Sequence, residues 1–331
     1  MNMIKDSLSP SDHGLLQALM FDGKGGCSPI KTIPASPPRG QTLWLHFQAD
    51  GHETAEHLKQ TMQLDALVIE ELLSKETRPR MIQYKQGCIL LLRTINPSSN
   101  SSPEDMASLR MWIEPQRIVT IRRRAISIMS ELAESFGRGK APASTGEFIV
   151  MVIGAILSRI QPVMNDLDEK IAHLEERIVD HDGSEDISDE LTHLRKTIIQ
   201  LKRYLSPQKD ALYDLVSGNL EWLNTVTRQV LDNYFDDFVR LNEDLETFRE
   251  RAQILNEEVK HVHAERLNKV TYLLTVIAAI FLPLGFLTSL WGINLKGIIG
   301  TEYENGFAVF IGILAILVII QVLIFRRLKW F

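Results

Sequence analysis

Two apolar runs near the C-terminal end constrain this chain more than any other feature. Thr271 to Trp291 reads TYLLTVIAAIFLPLGFLTSLW and Phe307 to Phe325 reads FAVFIGILAILVIIQVLIF, and neither run holds a residue charged at neutral pH. At about 1.5 Å per residue, each run spans a hydrocarbon core about 30 Å thick when helical. The competing reading, a pair of buried core helices, fails on length. Pro283 lies inside the first run. A membrane helix tolerates a proline when a neighbouring helix or a water satisfies the carbonyl that it frees.

The flanks set an expected orientation. Arg326, Arg327 and Lys329 follow the second run, and Lys260, Arg266 and Lys269 precede the first. The connecting segment 292–306 carries Lys296 against Glu302 and Glu304. Basic residues stay on the cytoplasmic side, which predicts both termini inside and the short loop outside. The opening MNMIKDSLSPSD lacks an apolar run, so no signal peptide is expected.

The chain has 331 residues, room for two folded units. A net charge of -6 argues against a nucleic-acid binder. Two cysteines, Cys27 and Cys88, cannot build a disulfide framework or a Cys-rich zinc site, and they fit a reducing compartment.

Residues 1–145 read as mixed α/β. Strand-like segments are Leu16–Phe21, Thr42–Phe47, Met81–Tyr84, Cys88–Ile95, Ala107–Ile113 and Arg117–Arg122. Turns are expected at Gln86-Gly87 and Glu114-Pro115, and a loop at Pro97–Pro103. Glu53–Leu73 reads as helical. The expectation is an antiparallel or mixed sheet with helices packed on it.

From 146 to 218 the period becomes helical. Leu167, Ile171, Leu174 and Ile178 share one face, and Leu191, Leu194, Ile198, Leu201 and Leu205 share a face of a second helix. The polar stretch Asp180–Asp186 joins them, which predicts an antiparallel helical hairpin. Phe148–Leu157 is apolar but too short to span a bilayer and reads as a buried helix. Residues 219–270 form a third helix, a stalk that continues into the membrane. Its seam, Leu241, Leu245, Phe248, Ala252, Leu255, Val259 and Val262, repeats at intervals of four and three. The whole reads as an α+β cytoplasmic domain, a long helical stalk, transmembrane helices at 271–291 and 307–325, and a basic tail at 326–331.

Two spans cannot enclose a polar path, so a pore requires several copies. On the first span Asn268, Thr271, Leu274 or Thr275, Ala278, Leu282, Gly285 and Ser289 follow steps of three or four. The stripe is polar near its ends and aliphatic in its middle. In a ring it would form a hydrophobic constriction between wetter vestibules. The same small residues also suit plain helix-to-helix packing.

The Pro-interrupted span, then Gly292-Ile293-Asn294, a short loop, a second span and a basic-aromatic tail together resemble the CorA family of divalent-cation transporters. The usual signature is Gly-Met-Asn, and Ile293 replaces the methionine. FLPLGFLTSLWGINLKGIIG, with ETRPR at Glu76–Arg80 and RYLSPQKDALYDL at Arg203–Leu215, is similar to the ZntB branch, the zinc transporters. The resemblance covers essentially the whole chain. It implies a CorA-like homopentamer in the bacterial inner membrane, with Gly292, Ile293 and Asn294 at the outer mouth. It also implies zinc as the transported ion, with protons as a coupling ion, and no catalytic cofactor. An amide carbonyl accepts hydrogen bonds from hydration water without trapping the cation as a carboxylate would. Glu302 and Glu304 would add a negative potential there, and they read equally as a solvated acidic loop.

Metal-ligating candidates lie outside the spans. The spans hold no His, Cys, Asp or Glu, so a zinc ion crossing them travels hydrated or is handled elsewhere. On these residues alone the path suits magnesium or any hydrated divalent cation. His261 and His263 precede the first span. Two residues apart on a helix they point about 200° from each other, so one chain cannot chelate with both. A symmetric ring could gather one of them into a shared site. Asp180, His181 and Asp182 at the hairpin tip, and Glu257 on the stalk, complete the candidates; the tip also reads as a plain acidic turn.

A membrane-anchored sensor or enzyme finds little support. GKGGC at Gly23–Cys27 lacks the Gly-Lys-Ser/Thr ending of a phosphate loop. No Gly-x-Ser-x-Gly or His-Glu-x-x-His is present.

Overall fold

The structure is a computed structural model that describes residues 14–292 and 304–327, apart from 35, 51–52, 61, 76, 85, 96–104 and 180–183. The chain divides into two compact units, Met1–Asn256 and Glu257–Phe331.

The first unit is built on a seven-stranded mixed sheet. Its strands are β1 (Leu15–Phe21), β2 (Cys27–Pro29), β3 (Thr42–Gln48), β4 (Arg80–Gln83), β5 (Cys88–Thr94), β6 (Ala107–Glu114) and β7 (Arg117–Arg122), in the order β2-β1-β3-β7-β6-β5-β4. Among the described residues only β3 and β7 pair in parallel, with Trp44 opposite Ile118 and His46 opposite Thr120. The six strands expected from alternating β-formers are all present. The seventh, β2, spans three residues and has no pattern of its own. It exists because the glycine-rich stretch before it turns the chain back on β1. Asp22 Oδ1 accepts from Lys24 N at 2.7 Å and Gly26 N at 2.9 Å. Gly23 has φ +73, and a Cβ there would lie 2.5 Å from the Gly40 carbonyl oxygen. The stretch is a hairpin turn.

One face of the sheet buries Leu43, Leu45, Phe47, Ile89, Leu91, Trp112, Val119 and Ile121 in a core shared with Leu58, Met62, Val68 and Leu72. Those last residues lie on and between two short helices, α1 (Thr54–Gln60) and α2 (Ala66–Leu73), where the sequence suggested one. The break has a local cause. Gln63 takes φ 52, a left-handed conformation, and Asp65 caps α2 by accepting from Leu67 N at 3.0 Å.

The other face packs aromatic residues against two further helices, α3 (Ser127–Gly137) and α4 (Thr145–Val179). Phe21, Trp44, Phe136 and Phe148 meet there, with ring centroids 5.2 Å apart for Phe21–Phe136 and 5.5 Å for Trp44–Phe148. Helix α3 was not anticipated from the sequence. A fifth helix, α5 (Ser184–Ser217), runs against β4 and β5, where Gln208 Oε1 accepts from Arg93 N at 2.6 Å. The expected apolar faces of α4 and α5 are buried throughout, from Leu167 to Ile178 and from Leu191 to Leu205.

Helix α6 (Thr225–Gly292) starts in the first unit and runs through the second; α7 (Gly306–Arg327) lies in the second. The start of α6 falls later than the 219 expected from its lack of Pro and Gly. Asn224 fixes it, since its Oδ1 accepts from Thr227 N at 2.8 Å. Leu241, Leu245, Phe248, Ala252 and Leu255 are buried as the seam requires. Gly154 on α4 leaves room for the Tyr234 side chain of α6, since a Cβ there would sit 2.7 Å from the Tyr234 hydroxyl.

Among the described residues three helices, α4, α6 and α7, are long and apolar enough to cross a membrane. In α4 the apolar window is 39% buried inside the protein, against 6% in α6 and 0% in α7. Phe148, Ile149, Val152, Ile153 and Ile156 are fully buried, so the apolar face of α4 is already used by the core.

Candidate functional site

The second unit is an antiparallel helix pair with one shared face. Val276 is buried, and Ile280, Leu284, Leu287 and Trp291 are half-buried, at steps of three or four along α6. On α7 the matching set is Phe310, Leu314, Leu317, Gln321 and Phe325. Trp291 and Phe310 meet at one end with ring centroids 5.3 Å apart. Further along, Gln321 Nε2 donates to the carbonyl oxygen of Ala279 at 3.3 Å. That oxygen lies four residues before Pro283, which has no N–H to return to it. The sequence required a partner for this carbonyl, and α7 supplies it.

The stripe lies about half a turn away from the shared face, at 100° per residue. Asn268, Thr271, Leu274, Thr275, Ala278, Leu282, Gly285 and Ser289 are all exposed. Leu274 is 61% and Leu282 71% exposed. A Cβ added at Gly285 or Gly292 would meet nothing within 4 Å, so packing inside one chain does not require either glycine. Thr275 donates its hydroxyl hydrogen to the Thr271 carbonyl at 2.8 Å, so its hydroxyl oxygen keeps only acceptor capacity. One chain therefore uses one face of α6 on α7 and leaves the stripe uncovered.

The remaining candidates divide. Gly292 is the last residue of α6 and Glu304 is exposed just before α7. Ile293, Asn294, Glu302, Asp180, His181 and Asp182 lie outside the described residues. His261 is exposed, with its Nε2 3.6 Å from Glu265 Oε1; His263 is half-buried and Glu257 exposed. Among the described residues no three of His, Cys, Asp or Glu come together in a way that could hold a metal ion. A shallow cavity of about 320 Å³ between α4 and α5 is lined by Asp166, Lys170, Asp189, Glu190 and His193 among others. Its carboxylates are partly spent on cations: Asp166 pairs with Lys170 and Glu190 with Arg177.

Two features escaped the sequence reading. Gln321 is the one amide in an otherwise apolar run, and that oddity was the available signal. Arg251 reaches from α6 to two α4 carboxylates, Glu175 and Asp168, and nothing in the spacing announces that long-range pairing.

Residues 39–327 match the family described as CorA-like Mg2+ transporter protein. The chain is 31% identical over 320 residues to the zinc transport protein ZntB of Pectobacterium atrosepticum, covering 96% of each chain. It is 30% identical over 313 residues to the ZntB of Yersinia pseudotuberculosis, covering 95% of each. Among solved structures, the full-length CmaX protein superposes with a TM-score of 0.83 at 28% identity, covering 98% of this chain and 100% of that one. The CorA magnesium transporter of Methanocaldococcus jannaschii shares the fold, with a TM-score of 0.78 at 17% identity over 96% of this chain and 99% of that one. The chain belongs to the CorA family, in its ZntB-like branch, a family of divalent-cation transporters and not of enzymes.

Proposed function

We propose that this protein carries zinc into the cytoplasm across the inner membrane, as a homopentamer whose α6 helices surround the ion path. The supporting observation is the uncovered α6 stripe. Two helices per chain cannot enclose a polar route, and the face of α6 turned away from α7 is the one left for other copies. The burial of the apolar face of α4 supports two spans per chain, with both termini cytoplasmic by the distribution of Arg and Lys.

In the assembled ring Leu274, Ala278 and Leu282 form a dry constriction, with Thr271 and Ser289 toward wetter ends. Gly292, Ile293 and Asn294 form the mouth, and Glu302 and Glu304 concentrate cations there. The ion passes hydrated, because neither span carries a zinc ligand. A negative interior favours entry of a divalent cation by roughly 4.6 kcal/mol per 100 mV. Neither span carries a carboxylate or histidine that could relay protons, so coupled protons act through histidines and carboxylates of the cytoplasmic part or move through water.

Zinc as the substrate rests on the likeness to the ZntB relatives. A second reading, a magnesium channel, is favoured by the ligand-free spans, which suit a fully hydrated ion. Competitive uptake of zinc and magnesium into liposomes, with and without a pH gradient, separates the two. Zinc uptake that magnesium does not suppress supports the proposal, and magnesium uptake that ignores zinc overturns it. Asn294→Ala abolishes most of the flux if the mouth acts as described; unchanged flux removes the mouth from the mechanism.

A further inference from the structure

We infer that Gln321 is a positioning residue for the ion path: its side-chain amide stands in for the N–H that Pro283 lacks, and so holds α6 against α7 at the point where its own hydrogen-bond ladder is interrupted. The inference deepens the transport reading and rests on it only for its effect on flux.

Three observations carry it. First, an α-helical carbonyl is normally satisfied by the N–H four residues later, and for Ala279 that residue is Pro283. Second, Gln321 Nε2 lies 3.3 Å from that very oxygen. Third, Gln321 sits on the shared face of α7, half-buried between Leu317 and Phe325, so the amide is committed to the helix pair. Its Oε1 has no hydrogen-bond partner among the described residues, so the contact with Ala279 is what accounts for an amide at this depth.

The consequence follows from where the gap falls. Pro283 adjoins Leu282 on the stripe, and Gly285 and Ser289 follow it. A helix with an unsatisfied carbonyl at a proline is free to bend there, or to admit water. Either movement displaces Gly285 and Ser289 relative to Leu274 and Ala278. The Gln321 bond to Ala279 suppresses that freedom, and Trp291 on Phe310 holds the far end of the same segment.

The test is a double-substitution cycle in the full chain, with Gln321→Leu, Pro283→Ala and the two combined. Pro283→Ala restores a backbone N–H to Ala279, after which Gln321 has nothing left to replace. The first readout is independent of transport: the width of the distance distribution between spin labels at positions 289 and 308, with Cys27 and Cys88 replaced by serine. Gln321→Leu should broaden it when Pro283 is present and leave it unchanged in the Pro283→Ala background. The second readout is cation flux in liposomes, expected to change roughly threefold or more for Gln321→Leu with Pro283 present, from the strength of interhelical hydrogen bonds in membranes. In the Pro283→Ala background Gln321→Leu should leave the flux unchanged. Equal broadening in both backgrounds, or none in either, overturns the inference. If the parent protein carries no cation, the transport reading falls while the label distances still decide the role of Gln321.

Discussion

Arg251 on α6 closes a two-pronged bridge onto Glu175 of α4, with Nε to Oε1 and Nη2 to Oε2 both at 2.8 Å. Its third nitrogen, Nη1, reaches Asp168 at 2.6 Å. The planar fork matches the carboxylate, and so a single side chain pins two long helices of the first unit. The guanidinium beside it holds the Glu175 carboxyl below the usual carboxylate range. All three side chains are partly exposed, so solvent screening limits the bridge to about 1 kcal/mol.

Arg251→Gln should therefore lower the unfolding midpoint at neutral pH and low salt, and the loss should shrink in concentrated salt. The pH dependence has a definite sign. A carboxyl whose pKa is lowered on folding stabilises the protein above its unfolded value, and that contribution is lost as pH falls through the folded value. The difference between parent and Arg251→Gln should vanish at acid pH. Thermal unfolding at several pH values checks this.

His46 gives a second acid-sensitive term. Its Nδ1 is 2.8 Å from Thr120 Oγ1, which also accepts from Trp44 Nε1 at 2.9 Å and donates to the Leu45 carbonyl at 3.2 Å. With the Thr120 hydrogen spent on Leu45, the imidazole donates from Nδ1 and leaves Nε2 bare. Nε2 has no partner among the described residues. A second proton would have no acceptor, and burial, reinforced by Arg122, pushes the pKa down from 6.5 to about 3. Between those values the unfolded chain binds a proton that the folded one refuses. Stability should fall as pH drops from about 6.5 toward 3. His46→Gln should flatten that slope, as measured by denaturant unfolding across the range.

Arg110 is the reverse of a stabilising charge. It is 1% exposed on β6, and its Nε and Nη1 have no hydrogen-bond partner among the described residues. Burial, then repulsion from Arg123 and Arg93, pulls its pKa down to about 10. An uncompensated buried cation costs more than an apolar side chain of similar length. Arg110→Met should raise the unfolding midpoint, by an amount on the order of 1 kcal/mol in stability. A lowered midpoint would mean that the cation is paired.

The proposed constriction makes a prediction of its own. Leu282 sits in the middle of the stripe, whereas Ile277 lies roughly a third of a turn away from it at 100° per residue. Leu282→Ser should wet the narrow zone and raise the resting leak of cations through liposome-reconstituted protein. Ile277→Ser, the loss of an apolar side chain of the same size off the stripe, should not. Equal leak from both would place the dry zone elsewhere.

Much of this molecule was legible before its fold was known, and the physical reasons differ by region. The strands of the sheet were readable because β-formers alternate between turn residues, and the spans because charge is excluded from them. The single helix expected at Glu53–Leu73 failed because periodicity does not register a left-handed Gln63 or the Asp65 cap behind it. Strand β2 failed because three residues show no period, and its place is set by Asp22 and the glycines of the turn. In the membrane pair the proline told the reader that Ala279 needed a donor. Only the packed helices could say that the donor is Gln321, because that pairing joins residues far apart in the chain.

The central claim is that the α6 stripe faces water along an ion path shared by several copies, and single-cysteine accessibility tests it most directly. Cysteines placed one at a time at Thr271, Thr275, Ala278, Leu282, Gly285 and Ser289, in a chain with Cys27 and Cys88 replaced, would be challenged in liposomes with a small water-soluble thiol reagent. Exposed α7 positions such as Ile316, Ile319 and Leu323 serve as the lipid-facing reference. The stripe positions should react, zinc should slow the reaction, and the α7 positions should not react. Stripe positions that react only with a lipid-soluble reagent, at rates indifferent to zinc, would contradict it.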